Sequence, residues 1–208
     1  MNLIVLAGGR SERMGRSKCC MELSGRSLFE YPLLALGRLY SQCIVVENGG
    51  SINSCSVPCT LVQDRIAGAG PLGGIYTGLA ASDSWLNFVI AADMPYASPQ
   101  LAGAIEAYAL RNKLDIVYPN IDGLLEPLFA IYSQRVVSVA RALLDARRHS
   151  VRELFASARL SVGAIDRQFA MRYDNKLMSF FNVNTPDDLI MARLMMHARE
   201  KSLQEERV

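Results

Sequence analysis

Residues 1–18 read Met1-Asn2-Leu3-Ile4-Val5-Leu6-Ala7-Gly8-Gly9-Arg10-Ser11-Glu12-Arg13-Met14-Gly15-Arg16-Ser17-Lys18. An unbroken apolar run, Leu3 to Ala7, falls straight into two glycines. Arg10, Arg13, Arg16 and Lys18 then follow within nine positions. A short continuous apolar run is the mark of a strand buried on both faces, as in a parallel sheet covered by helices. Glycines let backbone N–H groups approach an anion closely, and the cations neutralise it. The opening therefore predicts an α/β fold whose first strand delivers an anion-binding loop.

Spacing excludes two other glycine loops. The P-loop requires Gly-x-x-x-x-Gly-Lys-Ser/Thr, but five residues separate Gly9 from Gly15 and Arg16 follows. The dinucleotide fingerprint Gly-x-Gly-x-x-Gly is broken by Gly8-Gly9-Arg10. The segment about twenty residues on, Leu28-Phe29-Glu30-Tyr31, reads as helix rather than as a second strand. What remains, Leu-Ala-Gly-Gly-x-Ser-x-Arg-Met-Gly-x-x-Lys, resembles the signature loop of nucleotidyltransferases that attach an NMP to a phosphorylated acceptor.

The rest of the chain alternates apolar and helical segments, with no repeat and no linker. Strands are expected at 2–7, 42–47, 59–63, 86–91, 115–118, 125–132, 161–165 and 180–183. Helices are expected at 27–40, 72–82, 99–112, 134–146, 151–157 and 186–206. This alternation predicts one α/β domain over residues 1–208. Its sheet is mostly parallel and Rossmann-like, with helices on both faces. Asn120-Ile121-Asp122-Gly123 reads as a turn, so 125–132 is expected to return antiparallel to 115–118 at an edge. Thr185-Pro186-Asp187-Asp188 is a helix start: threonine caps, proline suits the first position, and the aspartates complement the positive helix end. The charged segment 199–208 is expected to fray.

The chain has 208 residues, half of them apolar, which suits one substantial core. Net charge is +2 with both signs interspersed, so no basic field for nucleic acid or anionic lipid is expected. No apolar run nears the roughly twenty residues that span a bilayer. A cytoplasmic location is expected, since the start lacks the basic flank and apolar length of a secretory signal. Five cysteines, an odd number with no histidine nearby, read as reduced thiols. The two histidines, His149 and His197, lie in charged helical segments and read as solvated.

In an open α/β sheet, ligands bind beyond the carboxyl ends of the strands. After the second strand come Glu47-Asn48-Gly49-Gly50, after the third Asp64, and after the fourth Asp93-Met94-Pro95. A carboxylate ending a buried strand needs a partner, and Mg²⁺ takes hard oxygen ligands, commonly one or two carboxylates plus phosphates. Asp93 is the metal candidate. Gly70-Pro71-Leu72-Gly73-Gly74 opens a helix whose first N–H groups suit a nucleobase, ribose or phosphate. Asn182 and Asn184, two apart on an expected strand, would share a face and offer amide oxygens and N–H donors.

Together these motifs resemble the molybdenum cofactor guanylyltransferase family. The resemblance rests on Leu6-Ala7-Gly8-Gly9, Arg13-Met14-Gly15, Lys18, Gly70-Pro71-Leu72-Gly73-Gly74, Asp93-Met94-Pro95 and Asn182-Val183-Asn184-Thr185-Pro186. It covers nearly the whole chain, in order. It implies an enzyme that transfers GMP from GTP to Mo-molybdopterin, with Mg²⁺. Partners implied are GTP, Mo-molybdopterin, and proteins of molybdenum cofactor biosynthesis or its acceptors. By position, Leu6, Ala7 and Gly8 would meet the guanine nucleotide through the backbone, with Gly9 beside them. Lys18 would meet phosphates together with Arg13, and Asp64 and Asp93 the nucleotide and metal. The family often has asparagine directly after the second strand. Here Glu47 stands there and Asn48 is next, so either is a candidate contact. Glu126-Pro127 would face the acceptor. The Gly-Gly pair favours guanine, whereas related cytidylyl enzymes resemble Leu-Ala-Ala-Gly. A cytidylyltransferase or other nucleotidyltransferase of the same fold with a different phosphate acceptor, and a guanine-nucleotide sensor without catalysis, stand as the alternatives.

Overall fold

The first strand, β1 (Asn2–Leu6), is buried along its whole length. It lies between β4 (Gln42–Glu47) and β6 (Leu86–Ala91), both parallel to it. Beyond β4, β5 (Thr60–Gln63) continues the parallel run. Beyond β6 come β9 (Phe129–Ser133), β7 (Ile116–Ile121) and β10 (Val162–Ile165), giving the order β10-β7-β9-β6-β1-β4-β5. This computed structural model describes residues 1–8, 21–49, 52, 55–66 and 68–205, with side chains to residue 198.

Alternation along the strands sorts the core into two layers, because successive side chains leave a strand on opposite faces. Leu3 and Val5 pack with Leu33 and Leu36 of α1 (Glu30–Leu36), and with Leu101 and Ile105 of α3 (Pro99–Asn112). On the same face lies Ala170 of α6 (Arg167–Met171). Ile4 and Leu6 pack on the other face against Leu72, Ile75 and Leu79 of α2 (Gly70–Ala81). There they meet Val139 of α4 (Val136–Asp145) and Leu154 of α5 (Arg152–Phe155). Each fully buried aliphatic side chain contributes about 1.5–3 kcal/mol.

α2 sits unusually close to the sheet, and its glycines explain how. A methyl group at Gly78 would lie 2.4 Å from Ile4 Cγ2, and one at Gly74 would lie 3.3 Å from Leu6. Part of the glycine-rich signal is thus helix-to-sheet packing.

A hairpin, β2 (Glu22–Leu23) with β3 (Arg26–Ser27), turns through Ser24 and Gly25, both at positive φ. It carries α7 (Pro186–Glu205), with Val183 and Ala192 packing on Met21, Leu23 and Leu28. Thr185 and Asp188 cap α7 reciprocally. The Asp188 N–H donates to Thr185 Oγ1 at 3.1 Å, and the Thr185 N–H donates to Asp188 Oδ2 at 2.8 Å. No described helix is long and apolar enough to cross a membrane.

The expected fold class holds, with local differences. The antiparallel strand β9 lies inside the sheet, between β6 and β7, rather than at an edge. The strand expected at 125–132 is split, because Pro127 has no N–H to give a ladder. The two-residue β8 (Leu124–Leu125) pairs with β7 across the Asp122-Gly123 turn, and β9 begins only at Phe129. The helix expected from 27 begins at Glu30, since Ser27 belongs to the hairpin. Residues 180–183 form no strand. A 3-10 turn covers Met178–Phe180, and the Val183 N–H bonds to Asp93 O instead of to a ladder.

Candidate active site

The strand order β5-β4-β1-β6 places a topological switch point between β1 and β6, because the chain leaves β1 for one side and later returns to the other. The crevice outside the carboxyl ends at such a point is where ligands bind. Three backbone hydrogen bonds carry the pairing one residue beyond the strands. The Ala7 N–H donates to Val46 O at 2.8 Å, the Asp64 N–H to Glu47 O at 2.8 Å, and the Ala92 N–H to Leu6 O at 3.0 Å. Gly8, Asn48, Asp64 and Asp93 are thereby aligned on one rim.

Gly8 and Asn48 are neighbours: a methyl group at Gly8 would lie 3.2 Å from Asn48 Cβ. Leu6 gives its C=O, and Ala7 its N–H, to the sheet. Their side chains are buried, so Gly8 is the first exposed residue of the run. Glu47 and Asn48 differ in what they face. Glu47 is buried and its Oε2 accepts the Ile52 N–H at 3.1 Å, which ties down the following turn. Asn48 is exposed beside Gly8.

Asp64 braces the entry to α2. Its Oδ1 accepts from Thr77 Oγ1 at 2.9 Å and from the Ile66 N–H at 3.2 Å. Gly70 has φ +61, which disfavours any side chain, and Pro71 occupies the first turn. Both are exposed, whereas the Leu72 side chain is fully buried in the core and can meet a ligand only through its backbone. Gly9, Arg13 and Lys18 lie outside the described residues.

Asp93 is brought to the C-terminal segment by the Val183 N–H, which bonds to Asp93 O at 2.9 Å. Val183 is fully buried, while Asn182 is half-buried and Asn184 exposed on either side of it. The same alternation that a strand would impose therefore persists without one. Asn182 Nδ2 donates to Phe180 O at 3.1 Å, leaving its amide oxygen an acceptor. From the other side comes Glu126. Burial, and secondly the Asp93 carboxylate, push its pKa up to about 7. Carboxylate and amide oxygens are the hard donors that suit Mg²⁺. Among the described residues no three His, Cys, Asp or Glu side chains group to hold a metal alone. An ion here would rely on few protein ligands plus substrate phosphates. His149 and His197 are both exposed, away from any such grouping, and Cys43, Cys55 and Cys59 form no disulfide.

Residues 3–162 match the MobA-like NTP transferase domain model. A protein of Natranaerobius thermophilus named "Probable molybdenum cofactor guanylyltransferase" is 31% identical over 196 residues, covering 93% of this chain and 95% of that one. One of the same name from Chloroflexus aggregans is 34% identical over 194 residues, 91% of each chain. The crystal structure of molybdopterin-guanine dinucleotide biosynthesis protein A from Archaeoglobus fulgidus has a TM-score of 0.80 at 25% identity. It covers 95% of this chain and 100% of that chain. The chain belongs to the MobA-like NTP transferase family.

Within the family's fold, sequence reasoning gave Glu126 only a loose place toward the acceptor. It missed its approach to Asp93, 33 positions earlier. The signal available was Pro127, which stops β8 and holds Glu126 out of the ladder. The Glu126 N–H bonds to Pro119 O at 2.9 Å, and the Phe129 N–H bonds to Glu126 O at 3.3 Å.

Proposed function

We propose that the protein is a molybdenum cofactor guanylyltransferase. It transfers GMP from GTP to Mo-molybdopterin, forming Mo-molybdopterin guanine dinucleotide and pyrophosphate. The observation that carries this reading is the switch-point rim. Gly8 and Asn48 meet there, and Asp93 joins the Asn182–Asn184 segment one strand away. The relatives named for this activity match over nearly the whole chain.

The reaction needs no covalent residue. A terminal phosphate oxygen of the acceptor attacks the α-phosphorus of GTP in line, and pyrophosphate leaves. Both reactants are anions, so repulsion is the main obstacle. Gly8, Asn48 and the start of α2 at Gly70 and Pro71 hold the nucleotide. Lys18 and Arg13 neutralise the departing pyrophosphate. Asp93, with Asn182 and Asn184 beside it, would hold Mg²⁺, which when bound polarises phosphoryl oxygens as a Lewis acid. Fixing both substrates in line supplies the entropic part of the acceleration. The nucleotide lies on the β1-β4-β5 half of the rim. That leaves the β9-β7-β10 half for the acceptor, where a shallow cleft lined by Asn120, Asp122, Asp166, Arg167 and Met171 opens.

Incubation with each NTP, Mg²⁺ and Mo-molybdopterin tests the proposal. Pyrophosphate and the guanine dinucleotide should appear with GTP. Turnover with CTP alone would make the enzyme a cytidylyltransferase, and GTP binding without pyrophosphate would make it a sensor.

A further inference from the structure

We propose that the cleft beside β7 and β10 receives the pterin ring of the acceptor, with Asp122 and Arg167 reading its 2-amino-4-oxopyrimidine edge. The inference rests on the guanylyl-transfer reading and assigns the end of the acceptor remote from its phosphate.

Strand direction puts the cleft on the same rim as Asp93. β9 runs antiparallel to both β6 and β7, and β10 runs parallel to β7. β6, β7 and β10 therefore all end at one edge of the sheet. β7 stands two places from β6 in the strand order, about 10 Å away at ordinary strand spacing. An acceptor with its phosphate beside Asp93 would extend along the rim into the cleft. The cleft volume of about 530 Å³ admits a fused heterocycle. Charge decides which end of the acceptor enters. The described lining sets two carboxylates, Asp122 and Asp166, against one guanidinium, Arg167. A phosphate would be repelled there, whereas a neutral ring with N–H donors would be accepted.

Arg167 Nη1 donates to Asp122 Oδ2 at 2.8 Å, which is the one hydrogen bond either side chain makes among the described residues. Side by side, the pair offers carboxylate oxygens that accept and a guanidinium that donates. The pterin edge carries the complementary set: an amino group and a ring N–H that donate, and an oxo group that accepts. Met171 adds apolar surface for the ring face. Both supports are fixed. The Gly123 N–H donates to Asn120 Oδ1 at 3.0 Å across the turn that carries Asp122. The Phe169 N–H donates to Asp166 Oδ1 at 2.8 Å, and Ala170 is fully buried, which seats α6. The side chains of Arg167 and Asp122 are 51% and 64% exposed, so their pairing contributes little to stability and its loss would not unfold the chain. Guanine carries the same edge as the pterin, but in this reading the base of GTP lies beside Gly8 and Asn48.

The first test is steady-state pyrophosphate release by the full-length protein at varied Mo-molybdopterin. Asp122→Asn keeps the turn, because asparagine also tolerates the left-handed backbone at φ +53. Its KM for Mo-molybdopterin should rise at least tenfold, with the KM for GTP and the melting temperature close to wild type. An acceptor KM within twofold of wild type overturns the proposal. The second test needs no turnover and follows the fluorescence of 6-hydroxymethylpterin. Wild type should bind it at least tenfold more tightly than Asp122→Asn does, and saturating GTP should leave it bound. The corresponding lumazine, which lacks the amino group, should bind wild type at least tenfold more weakly. Absent binding, displacement by GTP, or equal affinity in wild type and Asp122→Asn overturns the proposal. Pterin binding that depends on Asp122 in a protein that transfers no nucleotide supports the cleft assignment and contradicts the guanylyl-transfer reading alone.

Discussion

A methyl group at Gly8 would lie 3.2 Å from Asn48 Cβ, tighter than side chains normally allow. Its backbone φ is not in the left-handed region, so alanine meets no backbone strain there. Gly8→Ala should therefore leave folding nearly intact and push Asn48 into the space meant for the nucleotide. Calorimetry should find weaker GTP binding with a melting temperature close to wild type, and unchanged affinity would remove Gly8 from the nucleotide site. Asp93 and Lys18 answer to charge rather than shape. Asp93→Ala or Lys18→Ala should each lower kcat by about 10²–10³, the usual loss for one preorganised electrostatic group. Steady-state pyrophosphate release measures it, and near-normal turnover in both variants would end the mechanism. The position of Gly8, Asp64 and Asp93 on one rim was legible in the sequence because each lies within two residues of a strand's end. Which of Glu47 and Asn48 turns inward was not. It depends on which side chain turns back to the Ile52 N–H, a tertiary contact with no local signature.

Asp115 joins three strands. Its carboxylate accepts from Ser133 Oγ at 2.8 Å, from the Ser161 N–H and Oγ at 2.9 Å each, and from Arg135 at 3.1 Å. β7, β9 and β10 are thus pinned where they begin or end. Burial opposes the charge, but bonds from Ser161 and Ser133 and the Arg135 guanidinium outweigh it, holding the pKa below the usual carboxylate range. The sign follows from that direction. A lowered folded pKa stabilises above the unfolded value of about 3.9 and loses the benefit as pH falls through the folded pKa. Asp115→Asn should cost about 1.5–3 kcal/mol at neutral pH, the range for hydrogen bonds to a charged group. The gap to wild type should narrow below about pH 4. Urea unfolding at several pH values checks this, and a pH-independent gap would contradict it. Elements with unbroken signals, such as β4, β6 and α3, coincide with their expected bounds. The failures have causes that periodicity does not carry. Phe180 to Val183 is apolar like a strand, yet it has one backbone partner on the sheet side rather than a ladder, and Pro127 cuts in two what reads as one run.

Over the whole molecule, the sheet divides at β1 and β6 into a parallel half and a half carrying antiparallel β9. In this account the first half holds the nucleotide and the second the acceptor, with Asp93 at their border. That division explains why residues from five separate stretches of chain are needed for one transfer. The parallel half was readable from alternating apolar strands and helices. The insertion of β9 between β6 and β7 was not, because pairing partners outside a hairpin leave no trace in local sequence. The most direct test is a crystal structure of the protein with GTP and Mg²⁺ bound. The account predicts the base and ribose over the ends of β1 and β4 beside Gly8 and Asn48, and the ion on Asp93. A nucleotide seated elsewhere, with its α-phosphate remote from Asp93, would contradict it.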